Sequence, residues 1–181
     1  MKQFTTLVLS FFLLSGAINA QNFNVGIKGG VNAYNISDDF AFGNDTKIGF
    51  HLGLIGHAHL SKQIALQPEI VFSTQGSKNT DLNYVNIPLM FQYMHDNGFR
   101  WQAGPQLGFL VGAKTNNINI TNDCELIDFG IGIGLSYVNP ATDFGFDLRY
   151  NHGLSNIFKN DNTVFFNRGF QLGCFYLFNH E

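Results

Sequence analysis

Between Thr46 and Gln75 the chain alternates between apolar and small or polar residues with a period of two. Ile48, Phe50, Leu52, Leu54, Gly56, Ala58 and Leu60 hold the even positions, with Gly49, His51, Gly53, Ile55, His57 and His59 between them. After Ser61-Lys62 the run resumes with Ile64, Leu66, Pro68, Ile70 and Phe72, set against Ala65, Gln67, Glu69, Val71 and Ser73. Alternation this long predicts extended chain with two unlike faces. Two such runs joined by a two-residue link predict a β-hairpin.

The second face is rich in Gly, His and Gln with the single acid Glu69, and the apolar face carries no charge. A strand whose polar face meets water usually carries Lys, Glu and Thr. The arrangement is therefore inverted, with the apolar side against lipid and the small polar side inward. The same pattern recurs at Val25–Ala33, Val85–Tyr93, Phe99–Val111, Ile127–Tyr137, Phe144–Tyr150 and Phe170–Phe178, giving eight strands with the hairpin. Single-chain bacterial barrels have even strand numbers. Ser61-Lys62, His95–Gly98 and Asn139–Ala141 are short links, whereas Ser37–Asp45, Gly76–Asp81, Ala113–Asp123 and Ser155–Thr163 read as longer polar loops. Short turns on one side and longer loops on the other are the asymmetry of outer-membrane barrels. The expected fold is all-β, an eight-stranded antiparallel up-and-down transmembrane β-barrel. A lipocalin-like soluble barrel would need a hydrated outer face, which Gly104, Gly108, Gly130, Gly132 and Gly134 would serve poorly.

Composition agrees. Charged residues make up 13% of the 181, against about 25% in soluble domains. A net charge of −3 without a basic patch points away from nucleic acid. Residues 1–20 read as a secretory signal peptide, with Lys2, the apolar run Phe4–Leu14 and small residues before cleavage after Ala20. Residues 21–181 then form the barrel domain, expected as a monomer in outer-membrane lipid. Cys124 and Cys174 are too few for a disulfide framework and read as unpaired.

Inward positions include Lys28, Arg100 and Arg149 against Glu69, Asp128 and Asp147, a set expected to neutralise itself in a closed lumen. An eight-stranded barrel is only about wide enough for its own side chains. Tyr93, Phe99, Trp101, Tyr137, Phe144, Tyr150, Tyr176 and Phe178 fall toward strand ends, as an interfacial aromatic girdle would. His152 and Ser155 lack a third member to orient the His, so no catalysis is expected. His57 and His59 share a face, but two ligands make a weak metal signal. No cofactor is expected.

The chain resembles the porin-like outer-membrane β-barrel proteins of Bacteroidetes, the group that includes PorT secretion components. The resemblance rests on Gly26-Ile27-Lys28-Gly29-Gly30, Leu66-Gln67-Pro68-Glu69, Phe72–Gly76, Asn86-Ile87-Pro88-Leu89, Ala103-Gly104-Pro105 with Gly108, Phe129-Gly130 with Gly132 and Gly134, and Arg149-Tyr150 with Gly153-Leu154. It implies an eight-stranded barrel in the outer membrane without implying one activity. Three roles follow as expectations: surface interaction through outer loops, a secretion accessory or small-solute porin, and a lipid-modifying enzyme. Envelope or secretion proteins would be the partners. Pro68, Pro88 and Pro105 fall within strands and predict bulges or kinks there. The final Phe178-Asn179-His180-Glu181 departs from the terminal aromatic such barrels often carry.

Overall fold

A computed structural model of the chain describes residues 23–37, 45–159 and 164–178. The expected signal peptide, most of the Ser37–Asp45 loop and the last three residues lie outside them. The described residues form eight long strands, β1 (Phe23–Ser37), β2 (Lys47–His59), β3 (Ile64–Ser77), β4 (Thr80–Met94), β5 (Phe99–Thr115), β7 (Ile127–Val138), β8 (Phe144–Gly153) and β9 (Phe166–Phe178). A two-residue strand, β6 (Ile118–Asn119), and a single 3-10 turn at Thr121–Asp123 lie between β5 and β7. The sheet runs β4-β3-β2-β1-β9-β8-β7-β5, and pairing of β4 with β5 closes it. All pairings are antiparallel. Closure leaves no long strand with an unpaired edge, which a bilayer demands because no water is there to satisfy one.

The two faces separate as the alternation requires. Val25, Ile27, Val31, Phe50, Leu52, Leu54, Ile131, Ile133, Phe146, Leu148 and Leu172 are exposed outside, while Lys28, Asn32, His51, Glu69, Gln92, Gln102, Asp147 and Arg149 are buried inside. The β2–β3, β4–β5 and β7–β8 links are short and share one end. In them Ser61 N–H donates to Ile64 O, His95 N–H to Phe99 O and Asn139 N–H to Phe144 O.

The other end departs from expectation. Gly76–Asp81 is not a long loop: β3 and β4 remain paired to Ser77↔Thr80, leaving only Lys78 and Asn79 as the turn. Ala113–Asp123 begins as strand, since β5 runs to Thr115 and turns back into β6 through Asn116 and Asn117, both at positive φ. At 17 residues β5 is about 56 Å long, more than an outer-membrane strand of about 9–11 residues needs. The long strands therefore project from the bilayer on this side.

The prolines give no bulge. Pairing stops opposite Pro68, Pro88 and Pro105 and resumes in unchanged register on β2–β3, β3–β4 and β4–β5 respectively. A missing N–H interrupts the ladder without adding a residue, so strand direction survives. The register shift that does occur lies at Asn83/Tyr84 opposite Leu110–Gly112.

Candidate functional site

The strands bring four of the six inward charges together across the middle of the barrel. Lys28 Nζ on β1 donates to Asp147 Oδ2 at 2.6 Å. Arg149, two residues along β8 from Asp147, grips Glu69 on β3 with both terminal nitrogens, at 3.0 and 2.6 Å. Lys28 also stands 3.7 Å from Glu69. Amides complete the layer: Gln67 donates to Glu69 (2.7 Å), Gln92 to Gln67 (2.9 Å), and Arg149 to Gln102 Oε1 (3.0 Å). Two cations thus meet two anions, and their partners come from β1, β3, β4, β5 and β8. Arg149 is 1% exposed and Glu69 2%. A planar guanidinium matched bidentately to a carboxylate is the geometry in which a buried pair best repays its desolvation. Gly132 leaves the room this needs, since a Cβ there would lie 3.2 Å from Arg149 Cδ and 2.9 Å from Asn151 Oδ1.

Arg100 and Asp128 are not part of this set, contrary to the expected six-membered network. Arg100 lies toward the short-turn end, where it lines a pocket of about 240 Å³ with His59, Lys62, His95 and Asp96. Asp128 lies on β7 toward the opposite end, in register with Gly108. Alternation assigns the face of a residue; its height depends on register with other strands, which one strand's pattern does not contain.

Next toward the long-strand end is a neutral layer. His51 Nδ1 is 2.7 Å from Asn32 Oδ1, Asn32 donates to Ser73 Oγ at 2.9 Å, and Asn151 donates to the Tyr34 hydroxyl at 2.9 Å. Beyond it the mouth is covered. Leu82, Tyr84, Leu110, Ala113, Cys124 and Ile157 form an apolar cluster against which Ile36, Ile120 and Phe158 pack, so the cover reaches from β4 and β5 to β1. Backbone bonds fasten it, with Leu110 N–H donating to Leu126 O (2.9 Å), Ile120 N–H to Ala113 O (3.0 Å) and Glu125 N–H to Ile157 O (2.8 Å). Burial raises the Cys124 thiol above its usual pKa. Sequence reasoning missed this cover; Ile120, Ile157 and Phe158, apolar residues inside polar loops, were the available signal.

The aromatic girdle is also only partly as expected. Tyr93, Phe99, Trp101, Tyr137, Phe144, Tyr176 and Phe178 gather near the short-turn end, joined by pairings such as Tyr93↔Trp101, Phe99↔Tyr137 and Phe144↔Tyr176. Tyr150 does not join them: β8 continues to Gly153, and Tyr150 pairs with Ile133 and Phe170 farther up the wall. His152 Nδ1 lies 3.3 Å from the Tyr150 hydroxyl. Ser155 Oγ accepts the Phe129 N–H at 2.9 Å. His57 and His59 meet edge to face, 4.5 Å between centroids. Among the described residues no three His, Cys, Asp or Glu side chains gather to hold a metal.

Outside, the interrupted ladder is marked by an apolar groove of about 410 Å³, lined by Phe23, Leu54, Pro68, Ile70, Ile87 and Leu89 among others.

No curated protein matches the sequence. Among solved structures the fold is similar to that of Neisserial surface protein A, at 12% identity and a TM-score of 0.59, covering 85% of this chain and 97% of that one. It is also similar to Ail, the attachment invasion locus protein of Yersinia pestis, at 15% identity and a TM-score of 0.55, covering 87% and 100%. At such identities the likeness concerns the fold. The model for the outer membrane protein β-barrel domain matches residues 19–159. With that match across most of its length, the chain belongs to the outer membrane protein β-barrel domain family, and its place is the outer membrane.

Proposed function

We propose that the protein is a closed barrel that works through its extracellular end, as a surface-interaction or structural protein, without conducting solutes and without catalysis. One observation carries this reading: the Lys28–Asp147 and Arg149–Glu69 pairs span the lumen with amides filled in around them. The apolar cover at the mouth adds a second obstruction. Delivery by a signal peptide ending at Ala20, life as a monomer in outer-membrane lipid and contact with other envelope proteins belong to the same reading. A secretion-accessory role, which the resemblance to PorT-type barrels implies, needs no open pore and would be read as lost protein secretion in a deletion strain.

The surface presented is not a polyanion receptor by charge. One structure of Ail holds the heparin analogue sucrose octasulfate. Here, among the described residues at the long-strand end, Lys47, Lys78, Lys114 and Lys159 are matched by Asp45, Asp81, Asp123 and Glu125, and the sequence adds Asp38, Asp39 and Asp161 to the same loops. A partner that is not strongly anionic suits those loops better.

Planar bilayers test the closed reading. The refolded protein is expected to give no steady single-channel steps, and the double variant Glu69→Ala with Arg149→Ala to give steps or frequent openings. Steady steps from the unaltered protein would defeat it.

A further inference from the structure

Asp128 is 9% exposed, points into the barrel and takes part in no ion pair among the described residues. The central charges cannot serve it, because Lys28 and Arg149 already meet Asp147 and Glu69. Arg100 is eight positions along β5 from Gly108, the residue opposite Asp128, a separation of about 26 Å. The Arg168 guanidinium lies over the Phe166 ring at 5.3 Å. A buried carboxylate without a counter-charge is costly.

Its surroundings are unusual in the same way. Asn86, Gly108 and Asp128 form one row across β4, β5 and β7. Gly108 has no side chain to fill the middle of the row: a Cβ there would lie 2.8 Å from Asn86 Oδ1, 3.3 Å from the Tyr84 ring and 3.5 Å from Asp128 Cβ. Gln106 is the next inward residue on β5 and Tyr84 the inward residue before Asn86 on β4. Asp128 Oδ1, Asn86 Nδ2, Gln106 Oε1 and the Tyr84 hydroxyl are all buried, and each lacks a hydrogen-bond partner. Asn86 Oδ1 already faces the space at Gly108. The row therefore offers a carboxylate, two amide oxygens and a phenol oxygen, an all-oxygen set of the kind hard cations take.

We propose that Asp128, with Asn86, Gln106 and Tyr84 around the open space at Gly108, holds a small hard cation, Na⁺ or Ca²⁺, inside the barrel between the ion pairs and the apolar cover. The cation supplies the charge Asp128 lacks and satisfies the orphaned oxygens together. Water alone would satisfy the hydrogen bonds and leave the carboxyl to neutralise itself by taking up a proton, which no change of salt would reverse.

The full chain, refolded in detergent, is melted in NaCl, in CaCl₂ and in choline chloride at matched ionic strength, choline being too large for the space. A saturating small cation is expected to raise the midpoint by roughly 5 °C over choline. Asp128→Asn should abolish that difference. Gly108→Ala, which keeps the carboxylate and fills the space, should abolish it too. Because the readout is the difference between salts within one variant, a change in overall stability does not mimic it. Asp81→Asn and Glu125→Gln, on the outer surface, should preserve it. Equal midpoints in all three salts for the unaltered chain, an undiminished difference in Asp128→Asn, or its loss in the surface variants would overturn the proposal.

Discussion

The two halves of the wall hold together differently. From β5 through β7, β8 and β9 to β1 every pairing is continuous. From β2 through β3 and β4 to β5 each pairing is broken at a proline, with Pro68 opposite Gly56, Pro88 opposite Glu69 and Pro105 opposite Leu89, and β4–β5 also shifts register at Asn83/Tyr84. Within a bilayer an unmet backbone group is expensive because no water replaces the partner. The side chains span what the backbone leaves open: Glu69, Gln67, Gln92 and Gln102 come from the interrupted half, and Lys28, Asp147 and Arg149 from the continuous one. The Arg149–Glu69 pair, with the Arg149–Gln102 bond, therefore acts as a cross-tie between the interrupted and the continuous half, whereas Lys28–Asp147 joins β1 and β8 within the continuous one.

Cutting a tie should have the largest effect. Glu69→Ala leaves Arg149 buried without its partner, and urea unfolding should show a loss of about 3–5 kcal/mol. Amide exchange should rise most in β2–β5, and a uniform rise would break the comparison. Next come charges placed in lipid. Ile70→Arg on the interrupted half and Leu148→Arg on the continuous half should each cost about 2–4 kcal/mol at mid-bilayer depth. Equal penalties would locate the difference between the halves in the backbone, unequal ones in the membrane contact. Pro105→Val, on the outer face, restores a donor opposite Leu89 and should gain about 1 kcal/mol, with slower exchange nearby. Smallest is Lys47→Ala, which removes the exposed 2.6 Å pair with Asp81 and should change unfolding by under about 1 kcal/mol.

The strands were legible because lipid outside and a filled lumen inside impose strict alternation, and this chain keeps it from Phe23 onward. Their ends were less so. Ser77, Lys78, Asn79, Thr80 and Asp81 look like loop, yet all but two residues of that stretch are paired, because a hairpin projecting into water needs no apolar face. The same blindness put Tyr150 at a strand end. For the interior, alternation marked Lys28, Glu69, Arg100, Asp128, Asp147 and Arg149 as facing one another, but strand tilt and register decided which could touch. Pro68, Pro88 and Pro105 announced a disturbed ladder, while the absence of bulges followed from neighbouring strands holding register on both sides.

Cys174 sits on the bilayer side of β9, its Sγ 3.6 Å from Gly29 O, while Cys124 is buried within the cover. Nature has thus installed two thiols in opposite solvents. A lipophilic spin label attached at Cys174 would read immersion depth and local lipid order on the unmutated polypeptide, and sudden reactivity at Cys124 would announce that the cover at the long-strand end had come loose.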